Sequence, residues 1–369
     1  MKRSFIREIL EAIDEETISF AGGLPNSLLF PVDDLKLSAN NILKKRDVWQ
    51  YSLSNGIKSL RKKIAKQYCN EGFETEAENI LITTGSQQAL YILARHFQNK
   101  SIVLEDPSYL GAINTFKLND LKMKTAPLES DGIELKSFKK AFEKSKLSYL
   151  IPDFQNPSTR TYSKYKREEV AKIVEKNNGL LIEDSPYTEL YFDEKNKSIS
   201  SLIPNNSFHL GSFSKTLCPS LRIGWIRANK KLIDELLVIK ESIDLHSCGL
   251  SQHLLNEYLK NDKKYQNHLN ILRKYYKEKS EYFCEQLDKY LPEFVYEKPK
   301  GGMFVYGEFK DVDSFELLNK CMKRKVVFVP GCEFYVKNKN KNEIRFNFTN
   351  SSLEDITKGI KIIAQALKS

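Results

Sequence analysis

No apolar run in this chain approaches the ~20 residues that a membrane-crossing helix needs, so neither a membrane partner nor a membrane site is expected. The start, Met1-Lys2-Arg3-Ser4-Phe5-Ile6-Arg7-Glu8, is interrupted by charge before any apolar core can form, which argues against a secretory signal. Six cysteines are present, at 69, 218, 248, 284, 321 and 332, with no CxxC pair and no metal-ligand spacing. Scattered thiols without a leader point to a reducing cytoplasm, no disulfide framework and no metal centre. Internal repeats and low-complexity linkers are missing too. The net charge of +10 comes from lysines spread along the chain, and clusters such as Lys44-Lys45-Arg46 carry no interleaved aromatics. A single-strand binder needs such stacking platforms, so no nucleic-acid partner is expected, and the lysines read as a solvated surface.

What is there is an ordinary globular composition, 41% apolar and 29% charged over 369 residues. That length favours more than one core. Residues 1–15 carry Ile6, Ile9, Leu10 and Ile13 on one helical face. A turn-rich stretch, Ala21 to Asn26, precedes a helix expected from Val32 to about Lys45. Short apolar strands are then expected at 80–84, 101–105, 147–151, 180–183, 207–210 and 222–227, separated by helical stretches such as 86–97. That alternation predicts an α/β fold with a mostly parallel sheet covered on both faces. A long helical region runs from Asn229 to about Leu291. From Gly301 a smaller region of mixed strands and helices begins, in which 344–348 alternates as a half-buried strand. The last helix starts at Ser352, with Asp355 at its third position in a near capping box.

Ligands of parallel sheets bind beyond the carboxyl ends of the strands. The polar residues of interest fall at those ends: Gly85-Ser86-Gln87, Asp106 to Tyr109, Asn156, Asp184 and Lys215. The richest stretch is Gly211-Ser212-Phe213-Ser214-Lys215-Thr216-Leu217-Cys218-Pro219-Ser220-Leu221-Arg222. A lysine kept partly neutral by its neighbours forms imines. Serine hydroxyls and a guanidinium suit a phosphate ester. Lys215 with Ser212, Ser214 and Arg222 therefore points to a Schiff base with pyridoxal 5′-phosphate. The plainer reading is a surface lysine in a serine-rich loop.

With these residues on the page, the chain resembles the fold-type I pyridoxal-phosphate aminotransferases of class I/II, from about Ile18 to Lys368. Within them it is most similar to the branch of 2-aminoadipate and kynurenine aminotransferases and the aminotransferase-like half of MocR-type regulators. The resemblance is carried by Ser19-Phe20-Ala21-Gly22-Gly23-Leu24-Pro25, Thr83-Thr84-Gly85-Ser86-Gln87-Gln88-Ala89-Leu90, Asn156-Pro157, Glu183-Asp184-Ser185-Pro186-Tyr187, the lysine loop and Lys300-Gly301-Gly302-Met303-Phe304. It implies a large domain with a seven-stranded sheet and a smaller α+β domain. The corresponding divisions are 1–40 for the N-terminal segment and part of the small domain, 41–245 for the cofactor domain, and 246–369 for a connecting helix and the rest of the small domain.

The resemblance also assigns roles. Asp184 pairs with the protonated pyridine nitrogen. Asn156 and Tyr187 hydrogen-bond the phenolate oxygen. Gly85, Ser86 and Gln87 at a helix start join Ser212, Ser214 and Arg222 around the phosphate. Tyr109 stacks on the ring, and Tyr51 reaches the phosphate of a neighbouring subunit, which implies a homodimer with shared sites. Arg345 takes the substrate α-carboxylate as a bidentate pair, with Gly23 and Asn156 beside it. Arg7 could meet a distal carboxylate or face solvent. The family often has Asn-Pro-Thr-Gly where this chain has Asn156-Pro157-Ser158-Thr159, so a change of loop geometry is open.

The implied activity is ping-pong transamination between an L-amino acid (2-aminoadipate-like, aromatic or aliphatic) and a 2-oxo acid such as 2-oxoglutarate. Lys215, Asp184 and Tyr187 are then the catalytic set. Two alternatives stay open at this point: a β-lyase using the same cofactor, and a ligand-sensing domain without catalysis.

Overall fold

The computed structural model describes residue 9, residue 11, residues 14–337 and residues 340–369. The helix expected over residues 1–15 lies largely outside that set.

Eight strands form the main sheet: β2 (Ile80–Thr83), β3 (Ser101–Asp106), β4 (Lys122–Glu129), β5 (Gly132–Ile133), β6 (Leu147–Leu150), β7 (Leu180–Asp184), β8 (Ser207–Ser212) and β9 (Gly224–Arg227). They are preceded by a short β1 (Ile18–Ser19) outside this sheet. The order is β2-β9-β8-β7-β6-β3-β4-β5. The six strands expected from the sequence are present, β4 completes the seven that the resemblance implies, and the two-residue β5 is added at one edge. Pairs β3/β4, β3/β6, β6/β7 and β7/β8 are parallel. Strand β9 is antiparallel to both neighbours. Because β9 reverses direction between them, β2 again points with the parallel block, and Gly85 at its end reaches the same edge as Asp184 and Ser212.

The central strands are apolar on both faces because helices cover both. Strands β2, β6, β8 and β9 are buried at every position. The helices α1 (Val32–Ile42), α2 (Lys58–Asn70), α3 (Gly85–His96), α4 (Leu110–Leu118), α5 (Leu135–Ser145), α6 (Lys164–Lys176) and α7 (Lys230–Asp244) surround or approach this sheet. One apolar layer gathers Leu90, Leu93, Phe116, Phe208 and Leu236. The opposite layer gathers Phe138, Phe142, Val170, Val174 and Leu181. Strand β4 escapes sequence reading because it is an exposed lysine-bearing strand, with Ala126 its one fully buried position.

The helical region beyond 229 breaks into three. Helix α7 ends at Leu245, whose φ of 60° stops it. Then come α8 (Gly249–Tyr258) and the 29-residue α9 (Asp262–Tyr290), capped by the Asn261 side chain on the Lys264 N–H. Helix α9 leads to an antiparallel sheet of β10 (Phe294–Tyr296), β11 (Phe304–Phe309), β13 (Val329–Pro330) and β14 (Glu343–Asn347), in the order β10-β11-β14-β13. A short β12 (Val326–Val327) precedes β13 and pairs in parallel with β1. Helices α10 (Ser314–Met322) and α11 (Leu353–Leu367) pack here. The expected Ser352 cap is present, its hydroxyl accepting from the Asp355 N–H at 3.0 Å.

Two expectations are corrected. Arg222 is not in a strand: a short turn, Pro219–Leu221, leaves it left-handed at φ 52°, and β9 starts two residues later. Strand β14 is not half-buried, since every residue from Ile344 to Asn347 is buried. On one face Phe346 meets Phe20, Phe283, Phe294 and Phe328. On the other Arg345 meets residues of the large sheet's loops, so neither face sees water.

Candidate active site

A cavity of about 580 Å³ opens at the carboxyl ends of the main strands, against β14 and the 21–25 segment. Its walls include Gly23, Ser86, Gln87, Tyr109, Asn156, Asp184, Tyr187, Ser214, Lys215, Arg222 and Arg345. Residues expected from distant motifs thus meet in one place.

Asp184 ends β7 and is 2% exposed. Its Oδ2 accepts from the Tyr149 hydroxyl at 2.7 Å, while its Oδ1 is buried without a partner among the described residues. Burial pushes its pKa up to about 6, and the Tyr149 bond restrains that rise. Tyr149 was not foreseen. Its signal was a hydroxyl in an apolar central strand, paired in register with Ile182, two residues before Asp184.

Arg345 is 1% exposed and pairs with no carboxylate among the described residues. Its Nη1 donates to Asn156 Oδ1 at 2.7 Å and its Nη2 to the Ala21 carbonyl at 2.5 Å. Its Nε is buried without a partner among the described residues. The guanidinium lies 4.2 Å from the Phe304 ring centre and 4.9 Å from that of Phe334. Burial lowers its pKa to about 10. A buried guanidinium held by neutral groups is an anion site. Asn156 also donates to the Tyr187 hydroxyl at 3.5 Å, so one carboxamide joins the two walls. Tyr187 is buried, which raises its phenol pKa.

Lys215 follows β8, and its Nζ donates to the Gly23 carbonyl at 2.7 Å. Gly23 comes from a segment sewn onto the small sheet: β1 pairs with β12, and the Asn347 N–H donates to the Phe20 carbonyl at 2.8 Å. Gly85 starts α3 at φ 74°, where a Cβ would sit 2.6 Å from Arg222 Nη2. Only glycine suits that turn beside that guanidinium. Arg222 reaches Ser214 Oγ at 3.5 Å and the Thr84 carbonyl at 3.4 Å. Gln87 turns its amide onto Thr115 Oγ1 at 2.7 Å, so its side chain is committed sideways.

Ser212 and Tyr51 stand apart from these walls. Ser212 lines a neighbouring cavity, and its hydroxyl accepts from the Ser214 N–H at 3.1 Å, shaping the lysine turn. Tyr51 is 80% exposed, beside His246. Arg7 lies outside the described residues. The Asn156 loop keeps a tight turn without glycine because Thr159 itself adopts φ 61°. A β-branched residue there is a true outlier.

A second layer, also unforeseen, locks this loop. Glu105 is fully buried and accepts from Tyr162 Oη (2.7 Å), Gln155 Nε2 (3.0 Å) and the Ile151 N–H (3.2 Å). Burial lifts its pKa to about 8. Gln155 also donates to the Pro107 carbonyl at 2.9 Å, so the loops bearing Asn156 and Tyr109 share one anchor.

The donor set fits pyridoxal phosphate. The orphaned Asp184 Oδ1 suits a ring N–H, the glycine turn beside Arg222 suits a phosphate, and the Arg345 Nε suits a carboxylate. A doubly covered, mostly parallel sheet with this lysine and this aspartate defines a fold-type I pyridoxal-phosphate enzyme. The family of class I and II aminotransferases matches residues 18–363, and the chain belongs to it. It is 34% identical to the 2-aminoadipate transaminase of Thermus thermophilus over 100% of this chain and 94% of that protein. The crystal structure of α-aminoadipate aminotransferase from Thermus thermophilus, complexed with N-(5′-phosphopyridoxyl)-L-leucine, superposes with a TM-score of 0.92, at 33% identity, covering 100% of this chain and 95% of that one. That of a kynurenine aminotransferase from Pyrococcus horikoshii gives 0.94 at 31% identity, with 100% and 95% coverage. The protein is a pyridoxal-phosphate-dependent aminotransferase. No helix among the described residues is long and apolar enough to cross a membrane.

Proposed function

We propose that this aminotransferase acts on an L-amino acid of the 2-aminoadipate, aromatic or aliphatic type, with a 2-oxo acid such as 2-oxoglutarate as acceptor. The carrying observation is the convergence of Lys215, Asp184 and Arg345 on one cavity. When bound, the cofactor supplies an electron sink for the carbon that loses its proton. Asp184 would hold its ring nitrogen protonated through Oδ1. Asn156 and Tyr187 would donate to its phenolate oxygen. Gly85, Ser86 and Gln87, by their backbone N–H groups, would hold the phosphate with Ser214 and Arg222, while Ser212 supports that turn. Tyr109 would lie along the ring.

Arg345 binds the substrate carboxylate between Phe304 and Phe334, which keep water away and strengthen the ion pair. That fixes the direction of the Cα–H bond. Lys215 Nζ is placed to take the proton from Cα as base and to give it up again as acid. The Gly23 carbonyl gives the amine a resting partner within 2.7 Å. The exposed Tyr51 supports a homodimer in which it reaches the partner's phosphate site. Six cysteines, none of them in a disulfide among the described residues, support a reducing, cytoplasmic setting. Arg7 is proposed to read a distal carboxylate.

The test is product analysis with 2-aminoadipate, glutamate, kynurenine and leucine, each with a 2-oxo acid acceptor. Stoichiometric oxo acid and new amino acid support transamination. Release of ammonia without a new amino acid, from these or from a sulfur amino acid, would favour a lyase.

A further inference from the structure

The end of α3 that faces the cavity is held from behind by groups outside the site. Thr84 stands just before this helix, where a threonine ordinarily turns its hydroxyl onto the first free N–H groups. Here it makes no such cap. Its hydroxyl instead meets Asp244 Oδ2 at 3.3 Å and Ser247 Oγ at 3.0 Å. Its N–H donates to Gln88 Oε1 at 2.8 Å, and its carbonyl takes Arg222 Nη2 at 3.4 Å. Gln88 Nε2 donates to the same Asp244 oxygen at 2.7 Å. Ser247 is fixed in turn by the buried Gln252, whose Nε2 donates to the Ser247 carbonyl at 2.8 Å.

Behind Asp244 stands Lys240, one turn earlier on α7. Its side chain is wholly buried, and its ammonium bonds the other Asp244 oxygen. Burial pulls the Lys240 pKa down, and Asp244 opposes that. Burial raises the Asp244 pKa, but the bonds from Lys240 and Gln88 outweigh it and leave the carboxyl below its ordinary value. A buried ion pair of this kind is weak evidence for stability, yet losing one partner strands the other. A carboxylate next to an anion site is also a liability unless neutralised.

We propose that Lys240 and Asp244 are positioning residues for the phosphate end of the cofactor site. Asp244 draws the Thr84 hydroxyl away from the helix end and holds the Gln88 amide on the Thr84 N–H, leaving the N–H groups of residues 85–87 for phosphate. Lys240 cancels the carboxylate charge, so that this anchor does not repel the dianion it serves. The inference rests on the reading of Gly85–Gln87 as the phosphate cradle.

The test titrates the full-length chain, freed of cofactor, with pyridoxal 5′-phosphate and separately with pyridoxal, which lacks the phosphate. Binding is followed by absorbance, with circular dichroism to check folding. Lys240→Met raises Kd for the phosphate ester about tenfold, the size of one charge-assisted hydrogen bond, and leaves pyridoxal unchanged. The double change Lys240→Met with Asp244→Asn recovers most of the loss, because no uncompensated charge remains. Gln88→Met keeps the buried pair and raises Kd for the ester about threefold, again without affecting pyridoxal. Equal losses for both ligands, or no loss in a folded variant, overturn the proposal. If the unmodified protein does not bind the phosphate ester more tightly than pyridoxal, the cradle reading itself fails.

Discussion

The two walls of the cavity are built by opposite means. The centre of the cofactor wall is local: Asp184, Tyr187, Ser214, Lys215 and Arg222 lie within 39 consecutive residues of the sequence (184 through 222), and Gly85 to Gln87, Tyr109 and Asn156 join them from neighbouring strand ends. The central group sits on the ends and turns of adjacent strands, β7 and β8. The substrate wall is assembled over long distance. Arg345 donates to the Ala21 carbonyl across 324 positions and to Asn156 across 189. A local wall positions chemistry by strand register. A long-range wall exists only once the small sheet has formed and drawn the N-terminal segment onto it.

The largest expected effect comes where the walls meet. Lys215 belongs to the first and donates to Gly23 of the second. Lys215→Ala should lower turnover by roughly 10⁴-fold or more, the upper range for loss of a general base. Circular dichroism should be unchanged. Substantial activity in that variant would remove Lys215 from the proton transfer.

Arg345→Met separates the walls. Loss of a buried charge that pairs with substrate should lower kcat/KM about 10²–10³-fold, mostly through KM for both amino and oxo acids. Cofactor absorbance should stay. A matching loss of cofactor affinity would mean that the walls are not independent.

Tyr149→Phe probes the cofactor wall alone. The Tyr149 bond lowers the Asp184 pKa, so removing it should move that pKa above its present value of about 6. The neutral carboxyl then persists to higher pH in the cofactor-free protein. Cofactor binding should weaken about tenfold at neutral pH, as for loss of a bond to a charged group, and recover as pH rises. An unchanged pH profile would contradict the role given to Asp184. The smallest effect is expected at Thr159. Thr159→Gly removes a left-handed β-branched residue and should stabilise the chain by about 1 kcal/mol, read from urea unfolding. A lower urea midpoint would show that the threonine side chain holds the loop.

The same contrast explains what could be read from the sequence. Apolar runs such as Ile80-Leu81-Ile82 gave strands because they are buried on both faces, and polar residues at their ends marked the site. Lysine-bearing β4 gave no such signal. The half-buried reading of 344–348 failed because the second face of β14 is covered by the large domain, a fact of tertiary packing that alternation cannot encode. Ser212 matches the phosphate pattern by type, and the bond its hydroxyl accepts from the Ser214 N–H is a detail of the turn that residue type cannot show. Tyr149, Glu105 and Gln155 were missed because each acts through a partner far away in the chain: Tyr149 on Asp184, and Glu105 on Gln155 and Tyr162.

The central claim is that Lys215, Asp184 and Arg345 serve one cofactor and one substrate. Its most direct test is the absorption spectrum of the purified protein with pyridoxal phosphate, before and after adding 2-aminoadipate, glutamate, kynurenine or leucine alone. The account predicts a yellow protein that bleaches with at least one amino acid and regains colour with a 2-oxo acid. A protein that stays colourless with pyridoxal phosphate, or a yellow one that no amino acid bleaches, would contradict it.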